Sequence, residues 1–356
     1  MNAYDKLFHI VNGDECSFDS HLVMPYNSNF CVNVAGYDLY DCYTNGRMLA
    51  DAHTKAYELT GQDVVIAQSD QYYLSEGLGL KTKKERGSLP TVLELPVKQL
   101  SDIEKLRVPD PAASGRMPVY LEAIRILRER FGNQVPIRAP GTGPYSMAGH
   151  LMEPTNFITA IVMAEMDEDE SAISLLQQLM ETTYETHYRF IVACLEAGAT
   201  IVQCADSLAS LDITSPSIYE KYAFPYEKRF FEKMKKLKSR YNFVTLLHIC
   251  GNNTPIAPLL AKTGCDILEC DYKVDLHQYA ELMGKDVCLL GNLNPAGNLL
   301  SGSPERVAEE VRDACKQAEG ARYIVGSGCE VGVKAPLENI RAMVKTGHGI
   351  PYSYRP

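Results

Sequence analysis

The feature that most constrains this chain is an alternation. Short apolar runs of strand length take turns with amphipathic stretches of helix length almost to the C-terminus. Strands are read in DVVIAQSD, VPIRAP, ATIVQCADS, NFVTLLHIC, CDILECD, DVCLLGNLNP and ARYIVGSGC. Helices are predicted over 47–59, 117–131, from 154 onward, and over 170–196, 217–238, 254–263, 276–283, 304–317 and 336–346. The strands show little polar alternation, as expected when helices cover both faces of a parallel sheet. Seven strands are counted from Val64, with room for one more in the less regular parts. The alternation predicts an α/β fold, a (β/α)8 TIM barrel, with a doubly wound open sheet as the alternative.

A chain of 356 residues can bury one large core, and a single barrel domain over 1–356 is the expectation. Residues 1–44 mix Tyr, Asn, Asp, Gly and Cys without a stable period and are predicted to form an irregular cap over the barrel mouth. The Lys-, Pro- and Ser-rich stretch from 80 to 117 reads as a surface excursion. The N-terminus has early acidic residues and no apolar leader, and no run of about 18 apolar residues exists. A cytoplasmic protein without a membrane span is expected. Its 11 cysteines are odd in number and scattered, which is poor material for a disulfide scaffold. Lys plus Arg number 35 against 45 Asp plus Glu, a net charge of −10 that argues against nucleic acid as partner.

Function is suggested by where the polar residues fall. The strings SD, APGTGP, CADS, HICG, ECD, GNLNP and GSGCE stand at the carboxyl ends of their strands, the face on which barrel enzymes assemble their sites. His248 and Cys250 are two apart at such an end, so both side chains point the same way. An imidazole and a thiolate suit zinc, and Cys329 is the best candidate for a third ligand. Ordinary buried residues remain the plain alternative. Asp70, Asp206 and Glu269, with Asp271 beside it, are candidates to bind metal, orient an imidazole or handle a proton. Asp206 is favoured as a ligand or as the partner of one. Gly141 and Gly143 in PGTGPYS lack the spacing of a P-loop or dinucleotide loop, so ATP and NAD are not expected. They let the backbone approach a cofactor, a ligand or a neighbouring loop. Asn292 and Asn294 of GNLNP offer amides to a cofactor or substrate, or to their own turn. Tyr26, Tyr37 and Tyr72 are candidates to stack on a planar substrate, and Arg138 is a candidate fixed cation for an anionic one.

At these residues the chain resembles the uroporphyrinogen decarboxylase superfamily. The similar pieces are AGATIVQCADS, the strand before HICGN, GCDILECD, the GNLNP turn and the final ARYIVGSGCE. The resemblance implies the same barrel. The decarboxylases carry an N-terminal arginine-bearing segment and an essential aspartate. This chain keeps an aspartate at Asp70, but PYNSNFCVNVAGYD has no arginine, and none occurs before Arg47. A tetrapyrrole with many carboxylates would find few cationic partners there.

The other branch that the chain resembles is the zinc-dependent methyltransferases of corrinoid systems. Their His-x-Cys followed far downstream by Cys matches His248, Cys250 and Cys329. The resemblance implies one zinc per chain and transfer of a methyl group between a small substrate and the cobalt of a corrinoid. Zinc in such enzymes activates a thiol acceptor or assists departure of the group that carries the methyl. The corrinoid is expected on a separate protein docking at the barrel mouth, because the nearest strings to the corrinoid motif DxHxxG, DAHTKA at 51 and DLHQYA at 275, end in Ala within predicted helices. A methyl ether or similar uncharged donor is the first expectation, since the Tyr- and Asn-rich cap suits it better than sulfonated coenzyme M. A methylcobamide:coenzyme M methyltransferase is the near alternative. A metal-free lyase centred on Asp70 and a non-enzymatic binder are further ones, and a homodimer is an open assembly state.

Overall fold

The computed structural model describes residues 1–356. Seven parallel strands form one sheet: β1 (Val65–Ile66), β2 (Ile137–Arg138), β3 (Ile201–Ala205), β4 (Val244–His248), β5 (Ile267–Cys270), β6 (Cys288–Leu293) and β7 (Tyr323–Ser327). Each is hydrogen-bonded to its neighbour in chain order. That order settles the choice between folds, because a doubly wound sheet reverses direction at a switch point and this one never does.

The gap between β7 and β1 is bridged by Leu22–Met24. Met24 N donates to Val325 O at 2.8 Å, Val325 N donates to Leu22 O at 3.0 Å, and Asp63 N donates to Val23 O at 3.0 Å. Val23 N in turn donates to Asp63 Oδ2 at 2.7 Å. An eighth stave therefore comes from inside the N-terminal 44 residues. Around it that segment carries the short helices Ala3–Asn12, Ser28–Ala35 and Leu39–Thr44.

Period two along the strands sorts the barrel interior into layers. The lower layers are apolar: Leu22, Val64, Ile201, Val244, Ile267, Cys288 and Ile324, then Met24, Leu246 and Leu290. They pack with Leu7, Ile10 and Val11 of the first helix and with Tyr352 and Tyr354 of a C-terminal strand, Tyr352–Tyr354, that pairs with Cys16–Phe18. Two residues further along their strands stand Gln203, His248 and Glu269, all buried. The register sets Ala205 beside His248 and His248 beside Glu269. Apolar residues thus fill the bottom of the barrel, and polar ones are stacked toward the carboxyl end.

Most helices begin and end where the sequence signals place them. Asp169, Asp275 and Ser303 accept from the first free backbone N–H groups of Glu170–Ala197, Leu276–Met283 and Pro304–Gln317. Two expectations are corrected. The helix predicted over 217–238 is broken into Pro216–Ile218, a π-helical turn Tyr219–Ala223 and Phe224–Leu237, because Pro225 has no N–H to extend a regular ladder. The helix predicted over 254–263 shrinks to a 3-10 turn, Thr254–Ile256, and the single turn Ala257–Leu260, around Pro255 and Pro258. The surface excursion contains a hairpin, Lys81–Lys83 with Thr91–Glu94. No helix is long and apolar enough to cross a membrane.

Candidate metal centre

His248 ends β4, and Cys250 follows in the turn beyond it. Gly251 then reverses the chain with φ +87°, a conformation that disfavours any residue with a Cβ. Its N–H is held by Asp271 Oδ2 at 2.8 Å. Cys329 arrives two residues past β7. His248 Nε2 lies 3.2 Å from Cys250 Sγ, Cys250 Sγ lies 3.5 Å from Cys329 Sγ, and Cys329 Sγ lies 3.8 Å from His248 Nε2. Usual zinc bond lengths at tetrahedral angles give edges of about 3.8 Å between sulfurs and about 3.6 Å between sulfur and nitrogen. The triangle therefore fits one zinc ion, and its three donors are the set that such an ion prefers.

The electrostatics agree with that fit. A hydrogen bond from Cys329 draws the Cys250 thiol down to about 4 against burial, with the neighbouring imidazolium adding to it. The same contact pushes the Cys329 thiol up. Burial opposes a charged His248, but the Cys250 thiolate and the Glu269 carboxylate hold it at about 10. The protons on the imidazole and on Cys329 are those that a divalent cation would replace.

Behind the triangle runs a buried polar chain. Glu269 Oε2 sits 3.0 Å from His248 Nδ1, off the axis of a well-aligned hydrogen bond. Both Glu269 oxygens accept from Arg138, each at 2.7 Å. Burial would raise the Glu269 carboxyl, yet Arg138 and His248 hold it at about 2. Arg138 also donates to Gln203, Gln203 to Gln68, and Gln68 to Tyr26 Oη. A carboxylate on the far nitrogen of a ligand histidine fixes its tautomer and ring orientation. Glu269 stands in that position relative to His248.

Above the triangle opens a cavity of about 440 Å³. Tyr26, Tyr72, Asp70, His248, Cys250 and Cys329 all contribute to its wall, as do Asn29, Gln68, Thr142, Ser207 and Glu330. The Asp70 carboxylate is already engaged, accepting from Arg116 at 2.5 and 2.8 Å and from Tyr120 Oη at 2.8 Å. Against burial, those donors hold it below the usual carboxylate range.

Several expected site residues lie elsewhere. Asp206 is not in the metal triangle or the cavity wall. Its oxygens accept from Ser146 N at 2.6 Å and Tyr145 N at 3.3 Å, capping the helix Pro144–Met152. Burial nevertheless lifts its carboxyl to about 6. Gly141 and Gly143 are closely packed against the neighbouring strand end: an added Cβ would stand 2.1 Å from Gln203 O and 2.5 Å from the Asp206 carboxyl carbon. Asn294 Oδ1 accepts from Ala296 N and Gly297 N of its own turn. Asn292 donates to the carbonyls of Asp271 and Val274. Tyr37 packs against the main core outside the cavity. Arg138 is fully buried beneath the site and committed to Glu269, so it is no anchor for a substrate anion.

Sequence reading missed Glu330, although the string GSGCE contains it. Its Oε1 accepts from Ser28 Oγ at 2.5 Å, Asn29 N at 3.1 Å and Asn29 Nδ2 at 2.8 Å. Nothing local announces those partners, which are about 300 residues away.

Comparison with known proteins places the chain in a family. The family model described as uroporphyrinogen decarboxylase (URO-D) matches residues 19–350. The methylcobamide:CoM methyltransferase MtbA of Methanosarcina acetivorans is 30% identical over 263 residues, 74% of this chain and 72% of that one. A uroporphyrinogen decarboxylase of Trichlorobacter lovleyi is 27% identical over 302 residues, 85% of this chain and 84% of that one. A solved methyltransferase from Methanosarcina mazei superposes with a TM-score of 0.85 at 28% identity, covering 97% of this chain and 98% of that one. With the family model spanning nearly its whole length, the chain belongs to the uroporphyrinogen decarboxylase (URO-D) family.

Proposed function

We propose that the protein is a zinc-dependent methyltransferase that moves a methyl group between a small substrate and the cobalt of a separate corrinoid protein docking at the barrel mouth. The observation that carries this reading is the His248–Cys250–Cys329 triangle, with edges of 3.2–3.8 Å, at the wall of an open cavity. Identity alone does not choose, because methyltransferases and decarboxylases match this chain almost equally. A decarboxylase reading gives the three donors no task.

Zinc bound there supplies a Lewis acid that keeps a substrate thiol as thiolate or stabilises a leaving oxygen. His248, Cys250 and Cys329 would hold the ion at the cavity wall, where a substrate could reach it. Glu269, braced by Arg138, keeps the Nε2 side of His248 available as donor. Asp271 pins the Gly251 turn and with it the position of Cys250. The substrate we favour is a methyl ether or similar small methyl donor without an anionic head group, since no Lys or Arg lines the cavity to bind a sulfonate. A thiol acceptor is the second reading, favoured by the name of the Methanosarcina relative.

Metal analysis of protein purified without added metal tests the centre. About one zinc per chain is expected, lost or greatly weakened in Cys329→Ser. Candidate donors are then offered with a reduced corrinoid protein, and methyl transfer is read from the corrinoid spectrum. Absence of zinc after reconstitution under reducing conditions overturns the reading.

A further inference from the structure

The charges around the cavity leave one carboxylate without a partner cation. The wall contains two acids, Asp70 and Glu330, and neither Lys nor Arg. Asp70 is neutralised by the bidentate Arg116, which also donates its Nε–H to Glu76 at 2.7 Å. Arg138 is neutralised by Glu269. Two thiolates and an imidazole would balance a divalent ion. Glu330 is different: all three of its contacts are neutral donors on Ser28 and Asn29, and all converge on Oε1. Oε2 makes no protein hydrogen bond and keeps contact with solvent, and burial raises the carboxyl while Ser28 and Asn29 oppose that shift. Ser28 and Asn29 begin a helix, Ser28–Ala35, so the carboxylate also sits at the positive end of a peptide dipole. It is fixed in place beside Cys329.

A fixed, unpaired carboxylate next to the metal donors repels an anionic head group and attracts a cationic one. Tyr72, on the same wall, adds an aromatic surface of the kind that favours quaternary ammonium groups. We propose that Glu330 is a specificity-determining residue that selects a small substrate with a positively charged head group and rejects one with a sulfonate or carboxylate. The inference rests on the zinc methyltransferase reading and names the substrate class of that site.

Three thiols with tetrahedral heads of similar size provide the probe: (2-mercaptoethyl)trimethylammonium, the uncharged 3,3-dimethylbutane-1-thiol and 2-mercaptoethanesulfonate. The protein is loaded with cobalt(II) in place of zinc, and each thiol is titrated while its thiolate band on the metal is followed. The thiol proton leaves to buffer on binding. At low ionic strength the ammonium thiol is expected to bind at least about ten-fold more tightly than the sulfonate, with the neutral thiol between them. Glu330→Gln, which keeps an acceptor for Ser28 and Asn29, should bring the charged pair within about two-fold of each other. Equal or tighter binding of the sulfonate by the unaltered protein overturns the role of Glu330 and leaves the metal reading standing. That comparison needs no variant. Failure to take up cobalt, or a cobalt spectrum that no thiol changes, overturns the metal reading and this proposal with it.

Discussion

At the scale of single residues, the buried ion pair Arg138–Glu269 stands directly behind the candidate metal donors. Both side chains are fully buried and joined by two hydrogen bonds of 2.7 Å. Removing one member strands the other charge, which costs about 3–5 kcal/mol. Glu269→Gln is therefore expected to lower unfolding stability by that order in urea titrations. It also removes the carboxylate from His248 Nδ1, and zinc affinity measured against a competing chelator should fall about 10–100-fold. Unchanged affinity in a folded variant would mean that Glu269 braces the barrel alone. The donors His248 and Cys250 were legible because an i, i+2 spacing at a strand end needs no tertiary information. Cys329 was legible through its analogous strand end and the family's His-x-Cys…Cys pattern, while Glu330 and Arg116 were not legible at all. Their roles depend on partners 40 to 300 residues away.

At the scale of elements, the turn after β4 matters more than the strand itself. Gly251 has φ +87°, and a Cβ there would stand 2.6 Å from Ser210 Oγ and 2.8 Å from Asp212 Oδ2. Gly251→Ala should cost about 1–3 kcal/mol through backbone strain. Because the strain falls next to Cys250, cobalt(II) spectra should change even where far-UV circular dichroism does not. A normal cobalt spectrum would show that the turn relaxes without moving its thiolate. Helix boundaries were legible where Asp or Ser caps precede an apolar period, as at Asp169 and Ser303. They failed at Pro225, Pro255 and Pro258, where an apolar period continues across a residue that cannot complete the ladder. The opposite failure occurs in Ser28–Ala35 and Leu39–Thr44. These helices are too short for a 3.6-residue period to declare itself against a background of Asn and Tyr.

For the whole molecule, closure and burial make the testable statements. The stave Leu22–Met24 is clamped by Asp63, whose Oδ2 accepts from Val23 N at 2.7 Å and contacts His348 Nε2 at 2.9 Å. Asp63→Ala leaves a buried N–H without its acceptor and is expected to cost about 1–3 kcal/mol. Faster amide exchange should appear at Val23 and Met24, and exchange at those sites unchanged from the parent would show that Val325 alone holds the stave. Burial also makes stability depend on pH. Burial lowers His53 to about 4, although the bond from its Nε2 to Gln68 O opposes this. An unfolded histidine titrates near about 6.5. Between those values only the unfolded chain takes up the proton, so this group's stabilisation is complete above the upper value and is lost as pH falls, by about 3 kcal/mol at pH 4. Asp206, lifted to about 6, pulls the other way. The parent is therefore compared with His53→Gln, which should unfold with about one proton less uptake near pH 5; equal uptake would place the imidazole in contact with solvent. The sequence by itself determined the α/β alternation, the polar strand ends and the types of donor they carry, because periodicity and strand-end position are local properties. Only the tertiary structure decided that an apolar triplet in the N-terminal segment closes the barrel, that Asp206 and Arg138 turn away from the cavity, and that Glu330 stands in it unpaired. Each of those outcomes depends on which distant side chain satisfies a buried charge or backbone group, and a chain written in one dimension does not hold that information locally.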